Sequence, residues 1–168
     1  MATGWRWFWV EAAYYSAAQA GGSPREWDIG MVIFPSRHIG SQTGWMGWTY
    51  SNTSHDDIYN RSYPSCNPAN APANCQPGHM YGPPSSCNTN YFSGQKDSYG
   101  YSLYGYHACD TSGGQSGSAL YRGNAVRGVH KGLRHHTPGN NDSDPNNSFA
   151  LITRDRSNVI NYFLSLYP

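Results

Sequence analysis

The first candidate for chemistry in this sequence is a serine that follows a pair of glycines. Residues 109–121 read CDTSGGQSGSALY and hold that serine, Ser116. A serine attacks a carbonyl only when a base removes its proton and N–H groups stabilise the oxyanion that forms. Gly113 and Gly114 would let the N–H groups of Gly114 and Ser116 converge on one point. The same stretch is compatible with a polar turn between two strands.

The residues around Ser116 disfavour two other arrangements of a reactive serine. Ser118 follows Gly117, so the segment does not have the G-x-S-x-G pattern of an α/β-hydrolase. The sequence also has no S-x-x-K motif around this serine. A nucleophilic Ser116 would therefore belong to another class of enzyme.

The composition of the chain argues against some functional classes and favours others. The 168 residues suit one domain, and 11 Lys and Arg against 10 Asp and Glu, with no long basic run, argue against a nucleic-acid partner. The longest apolar stretches, such as residues 31–34, are too short to cross a membrane, and no signal peptide is recognisable. Only 12% of the residues are charged, while Gly, Tyr and Pro are abundant. This composition is typical of loop-rich, secreted β proteins, so we expect an extracellular protein.

The cysteines and histidines do not predict a metal site. The cysteines lack zinc-site spacing, so two disulfides are the better interpretation, with three connectivities open. They are Cys66, Cys75, Cys87 and Cys109. The adjacent His135 and His136 suit a solvated loop better than a closed metal site.

The elements that must position Ser116 are mainly strands. The apolar run at 28–34 and the alternation of aromatic and small residues at 98–110 predict two strands. Residues 124–132 and 148–153 predict two more. Residues 51–97 are mostly turn formers and hold three of the cysteines, which predicts a long loop pinned by disulfides.

Only the end of the chain predicts a helix. Apolar residues at helical spacing would share one face, and they are Val159, Ile160, Phe163, Leu164 and Tyr167. Asp155 or Ser157 would serve as the N-cap. The predicted fold class is therefore mostly β with a C-terminal helix.

The motif DTSGGQSGSALY resembles the nucleophile motif of the glutamyl endopeptidases, a branch of the chymotrypsin-fold serine proteases, which reads Asp-Thr-x-Gly-Gly-x-Ser-Gly-Ser-Pro. Ala119 stands where that family usually has proline. WDIGMVIF resembles the strand that bears the triad aspartate, and GVHKG resembles the strand after the nucleophile. The resemblance covers roughly residues 5–168. It implies an all-β double barrel, with residues 1–38 as the end of a largely missing first barrel and 39–168 as the second barrel with its closing helix.

Carried over to this chain, the resemblance makes Ser116 the nucleophile, Asp28 the carboxylate that orients the base, and the N–H groups of Gly114 and Ser116 the oxyanion hole. The base itself is missing. These proteases order their triad His, Asp, Ser, yet the first histidine here is His38, after Asp28. We therefore expect an N-terminally incomplete, monomeric serine endopeptidase that cleaves proteins or peptides without a metal or organic cofactor.

The resemblance also implies a substrate preference and a disulfide pattern. His130 and Thr111 would both donate hydrogen bonds to a Glu or Asp side chain before the cleaved bond. Asp110 instead lies where trypsin-like enzymes bind Lys or Arg, so a basic preference stays open, although the motif favours the acidic one. We predict the disulfides Cys87–Cys109, whose second cysteine precedes the motif as in related sequences, and Cys66–Cys75.

Two hypotheses from other classes remain. A protease homologue that kept the cleft and lost the base would bind extended peptides without cleaving them. An aromatic-rich carbohydrate-binding domain would make the Ser116 motif a coincidence, but packing in the core is the commoner role of such aromatics.

Overall fold

A computed structural model describes residues 7–20, 27–34, 40–55, 57–66, 74–82, 85–133 and 147–167. Its nine strands are β1 (Trp7–Val10), β2 (Gly30–Ile33), β3 (Gly47–Trp48), β4 (Tyr59–Asn60), β5 (Thr89–Phe92), β6 (Tyr104–His107), β7 (Ala119–Arg122), β8 (Ala125–Leu133) and β9 (Asn147–Leu151). The helices are α1 (Ala12–Gln19), α2 (Gly40–Thr43) and α3 (Arg154–Leu166). Within these ranges, every helix is too short or too polar to span a membrane.

The strands form two sheets of unequal size. β1 and β2 make a two-stranded antiparallel sheet. The larger sheet has the order β4-β7-β8-β9-β6-β5, with antiparallel neighbours, and β3 pairs in parallel with β8. The strands of the described residues form no closed barrel, although an isolated antiparallel bridge between Ile58 and Cys87 joins residues next to the edge strands β4 and β5. The predicted mostly-β fold with a C-terminal helix is confirmed at this level.

The core lies against the centre of the larger sheet. All five residues of β9 are buried, so this strand is covered on both faces and does not show the alternation of a half-exposed strand. The buried apolar side chains that contact one another are Ile58, Cys109, Leu120, Phe149 and Leu151. This core supports β7, which follows the Ser116 loop, and β8, to which that loop is hydrogen-bonded.

The four predicted strands are confirmed except for the length of one, but the predicted loop at 51–97 is wrong in part, because β4 and β5 lie within it. Residues 98–110 do not form one long strand, because only Tyr104–His107 are in β6. The carboxylate of Asp97 accepts hydrogen bonds from the N–H groups of Tyr99 and Tyr101, at 3.0 and 2.8 Å, and closes a turn at the start of this stretch. A side-chain bond therefore overrides the alternating pattern.

The helix predictions need two corrections. The expectation of a single C-terminal helix is wrong, because α1 forms over AAYYSAAQ, whose alanines have high helix propensity. The predicted N-caps of α3, Asp155 and Ser157, are also wrong, since the Thr153 side chain accepts the N–H of Arg156 at 3.3 Å. Asp155 instead accepts from the N–H and hydroxyl of Ser98.

The buried side chains of α3 are polar rather than apolar. Arg156 and Ser157 are buried, whereas Leu164, one of the residues expected on the apolar face, is half exposed. Ser157 accepts a hydrogen bond from the indole N–H of Trp48 at 3.0 Å. The helix is therefore anchored at its N-terminal turns.

Two ion pairs connect the small sheet and its neighbouring residues to the rest of the protein. Arg156 binds Glu11 at 2.6 Å, and this guanidinium also donates to the carbonyl oxygens of Leu103 and Leu151. Lys131 of β8 binds Asp28, which lies just before β2. The predicted boundary between residues 38 and 39 lies outside the described residues.

The cysteines pair in the predicted connectivity. Cys66 and Cys75 form a disulfide within the long excursion, with a Cα–Cα distance of 5.4 Å. Cys87 and Cys109 form the other, with a Cα–Cα distance of 5.0 Å, and tie the segment before β5 to the segment after β6. The second disulfide lies directly before the Ser116 motif and fixes one end of it.

Candidate active site around Ser116

A buried glutamine positions the exposed Ser116. The Gln115 side chain oxygen accepts the N–H of Ser112 at 2.6 Å, and its amide nitrogen donates to the hydroxyl of Ser62 at 2.8 Å. Only 3% of the Gln115 surface is exposed. Ser116 follows on the outside of this anchored turn, where a substrate can reach its hydroxyl.

Glycine is required at position 114 for two reasons. Its φ angle is +90°, a backbone conformation that residues with a side chain rarely adopt. A Cβ at this position would also approach the backbone nitrogen of Ser65 to 2.5 Å. Among the described residues, the N–H groups of Gly114 and Ser116 have no hydrogen-bond partner. Both donors are therefore available to an oxygen atom of a ligand.

The Ser116 loop is bound to β8 by its backbone and by the serine itself. The N–H of Gly117 donates to the carbonyl of His130, and the N–H of His130 donates to the carbonyl of Ser118, both at 2.8 Å. The Ser116 hydroxyl donates to the carbonyl of Lys131 at 3.2 Å. Strand β8 therefore fixes the position of Ser116 through these hydrogen bonds.

Asp28 contacts the same residue of β8, Lys131, through its side chain. Its carboxylate lies 2.8 Å from the ammonium of Lys131, whose carbonyl accepts the Ser116 hydroxyl. The Asp28 side chain is 42% exposed. Among the described residues, no histidine forms a hydrogen bond with Asp28 or Ser116. The fold thus brings the predicted carboxylate and the predicted nucleophile into contact with one residue, Lys131, at its ammonium and at its carbonyl respectively.

Two buried histidines lie behind the Ser116 loop. Nε2 of His107 lies 2.9 Å from Nδ1 of His130, and the two side chains are almost completely buried. Burial, which disfavours the charged imidazolium, lowers the pKa of His107 to about 3 and that of His130 to about 4. The neighbouring His130 lowers the pKa of His107 further. Both imidazoles are therefore neutral near pH 7.

The hydrogen bonds fix the tautomers of this pair. The N–H of Cys109 donates to Nδ1 of His107 at 3.3 Å, so that nitrogen is an acceptor. The proton of neutral His107 must then be on Nε2, where it is donated to Nδ1 of His130. His130 consequently carries its own proton on Nε2. The chain of donors ends in the Nε2–H of His130.

The other predicted substrate-binding residues differ in exposure. Thr111 is half-buried, and Asp110 is exposed. Within the described part of the chain, Asp110 makes no hydrogen bond or ion pair. The structure records no contact that joins either residue to His130.

The sequence analysis did not identify three residues of this site. His107 contacts His130 only because β6 and β8 both flank β9, a pairing that no local pattern reveals. Gln115 was visible inside the motif, but its buried hydrogen bonds to distant Ser62 were not. Lys131 follows His130 directly, and its ion pair depends on the position of Asp28, about a hundred residues away.

One group of possible metal ligands lies near the histidine pair. Ligand atoms of Cys87, His107 and Cys109 lie within 4.8 Å of one another. Both sulfur atoms belong to the disulfide between these cysteines, so neither is available as a thiolate. The cluster therefore does not have the donors of a metal centre.

Comparison with known proteins assigns no family to this geometry. No family model matches the chain, and no curated protein matches its sequence. The function therefore has to be argued from the residues around Ser116 and from the motif that they form.

Proposed function

We propose that the chain is a secreted serine endopeptidase of the glutamyl-endopeptidase type, built on a chymotrypsin-like double barrel. The observation that carries the proposal is the convergence of Ser116 and Asp28 on Lys131, through its carbonyl and its ammonium respectively. The motif places the nucleophile in a glycine turn, and Asp28 comes from a segment far away in sequence. Two disulfides suit an oxidising, extracellular environment.

The reaction would proceed through an acyl-enzyme. Ser116 Oγ bonds to the carbonyl carbon of the substrate while its proton passes to an imidazole base, and the N–H groups of Gly114 and Ser116 bind the oxyanion. The base then gives that proton to the departing amine as the C–N bond breaks. Water, activated by the same base, hydrolyses the ester and returns the proton to Ser116. In the triad order of the family that the motif resembles, this base precedes Asp28, and residues 1–27 contain no histidine.

The buried histidine pair supports a preference for acidic side chains. Nε2–H of His130 is a donor whose orientation is fixed by His107, and a carboxylate is a strong acceptor for it. The half-buried Thr111 offers a hydroxyl as a second donor. Asp110 is exposed, which gives little support to a closed pocket for Lys or Arg. Cleavage after Glu, and less readily after Asp, is the preference that these groups favour.

The proposal is tested by supplying the base from solution. The 168-residue chain should show no useful cleavage of a fluorogenic peptide with Glu before the scissile bond, because the triad base accounts for several powers of ten in rate. Adding imidazole should produce cleavage that Ser116→Ala removes. Turnover that depends on Ser116 without imidazole would show that the chain holds its own base. Imidazole-dependent turnover that persists in Ser116→Ala would refute the role of this serine.

The Lys131–Asp28 ion pair supports a second candidate, a peptide-binding homologue without catalysis. In that protein the ion pair would replace the contact between Asp28 and a histidine. Peptides containing Glu would then bind with an affinity that His130→Gln weakens, while imidazole would give no cleavage. The imidazole experiment therefore separates the two candidates.

A further inference from the structure

A cavity lies at the end of the β7–β8 hairpin that is remote from Ser116. Its volume is about 530 Å³, and its polar lining includes Thr49, Ser51, His55, Asp57, Arg122 and Arg127. Ser116 precedes the first residue of β7, whereas Arg122 is the last residue of that strand. A cavity of this size accommodates a small organic molecule. The peptidase mechanism proposed above does not use it.

Arg127 is a buried cation in this cavity without a carboxylate partner among the described residues. Only 4% of its surface is exposed, and Nη2 donates to the carbonyl oxygens of Ser51 and Thr53 at 3.2 and 3.3 Å. Burial lowers its pKa, because the charged form is desolvated. Arg156, the other buried arginine of the described chain, has Glu11 as its counter-ion. An anion in the cavity would give Arg127 a counter-ion that the described part of the chain does not provide.

Arg122 provides a second guanidinium at the mouth of the cavity. Its Nε atom binds both carboxylate oxygens of Asp57, at 2.7 and 2.6 Å, and about half of each side chain is exposed. Both recorded bonds use Nε, so the Nη groups of Arg122 have no recorded partner in the described chain. Two guanidinium groups and one carboxylate leave the lining with one net positive charge from these residues.

We propose that this cavity binds a small organic carboxylate, held by the guanidinium groups of Arg127 and Arg122. The planar, forked guanidinium matches the two oxygens of a carboxylate. The hydroxyl groups of Thr49 and Ser51 provide further hydrogen bonds to polar groups of the ligand. A dianion such as phosphate fits less well, because Asp57 repels the second charge. The volume beyond the two arginines admits the organic part of the ligand.

A pair of ligands that differ only in charge tests the proposal. The 168-residue chain is titrated with N-acetylglycine and, separately, with N-acetylglycinamide, and amide chemical shifts are followed by NMR. N-Acetylglycine should give saturable shifts at Gly123 and Ala125, with millimolar affinity, whereas the amide should bind at least about tenfold more weakly. Arg122→Gln should weaken binding of N-acetylglycine by about tenfold.

The matched control is Arg154→Gln, which changes net charge equally. Arg154 is exposed and lies over the ring of Tyr99, 4.2 Å from its centroid, outside the cavity lining. This variant should bind N-acetylglycine like the parent chain. Arg127→Lys keeps the buried charge but removes the planar, forked guanidinium. This variant should bind N-acetylglycine more weakly while its NMR spectrum stays dispersed, as expected of a folded chain.

Four results would overturn the proposal. They are an absence of saturable shifts with N-acetylglycine, equal binding of N-acetylglycinamide, equal weakening by Arg154→Gln and Arg122→Gln, and tighter binding of inorganic phosphate than of N-acetylglycine. The last result would assign the cavity to phosphate-type anions instead. None of these outcomes depends on whether Ser116 is a nucleophile.

Discussion

The loop that carries Ser116 and the small sheet next to Asp28 are fixed in place by different kinds of interaction. Buried hydrogen bonds of Gln115, backbone bonds to His130 and a nearby disulfide hold the loop. The small sheet and its neighbouring residues contact the rest of the protein through the ion pairs Glu11–Arg156 and Asp28–Lys131. The loop of Ser116 is therefore hydrogen-bonded to the large sheet, whereas the position of the Asp28 carboxylate depends on ion pairs.

The largest expected effect comes from breaking the buried ion pair of the small sheet. Glu11→Gln removes the carboxylate that binds the guanidinium of Arg156, a side chain that is only 3% exposed. We expect a loss of about 3 kcal/mol in the free energy of unfolding, measured by urea denaturation. Asp57→Asn, which breaks the half-exposed pair with Arg122, is the control and should cost less than about 1 kcal/mol. Equal losses in both variants would contradict the special role of Glu11.

A slightly smaller effect is expected in the Ser116 loop. Gln115→Ala removes three side-chain hydrogen bonds, two to the N–H and hydroxyl of Ser112 and one to the hydroxyl of Ser62. The variant should lose about 2 kcal/mol of stability and should also lose imidazole-dependent cleavage. Gln95→Ala is the control, because Gln95 is exposed and its recorded bonds involve only its backbone. Full activity of Gln115→Ala would show that this anchor is dispensable.

The histidine pair predicts how stability changes with pH. In the folded protein the pKa values of His107 and His130 are lowered to about 3 and 4, while in the unfolded chain they are near 6.5. Below pH 6.5 the unfolded chain therefore binds more protons than the folded protein. Stability should be fully present above pH 6.5 and should fall as the pH decreases toward 4, by at most about 1.4 kcal/mol per pH unit for each histidine.

Variants separate this effect from the titration of other groups. His130→Gln should reduce the slope of stability between pH 4 and 6.5, whereas Gln95→Ala, at an exposed position without a titratable group, should leave it unchanged. Thermal denaturation at a series of pH values measures the slope. A parent chain whose stability is constant over this range would contradict the buried, neutral state of the pair.

The smallest effect is expected at the second ion pair of the small sheet. Asp28→Asn breaks a contact whose side chains are 42% and 25% exposed, so it should cost about 0.5 kcal/mol of stability. Imidazole added from solution is not held by Asp28, so imidazole-dependent cleavage should change little. A large loss of stability would show that Asp28 is mainly structural.

Local patterns predicted much of the sheet but little of the contact network around the site. The predicted strands at 28–34, 124–132 and 148–153 correspond to β2, β8 and β9 with small differences at their ends. The turn at Asp97 and the N-cap at Thr153 were missed because they depend on side-chain hydrogen bonds. α1 was missed because its alanines give no strong amphipathic pattern.

The candidate site was predicted where it lies in one motif and missed where it depends on tertiary contacts. Ser116, Gly114 and the preceding cysteine belong to a continuous stretch of sequence. His107, Lys131 and Glu11 gain their partners through strand order and through contacts between distant segments. No spacing rule within a single sequence encodes such contacts.

The central claim, that Ser116 is an acylatable nucleophile beside a donor for acidic side chains, is tested most directly by trapping the acyl-enzyme. The 168-residue chain is mixed with the 4-nitrophenyl α-ester of N-acetylglutamate, and the product is followed by intact mass and peptide mapping. Since no described base activates water for deacylation, one acyl group should accumulate on Ser116. It should be absent from Ser116→Ala and should form more slowly from the glutamine ester. Acylation elsewhere with Ser116 unmodified, or equal rates with the two esters, would contradict the account.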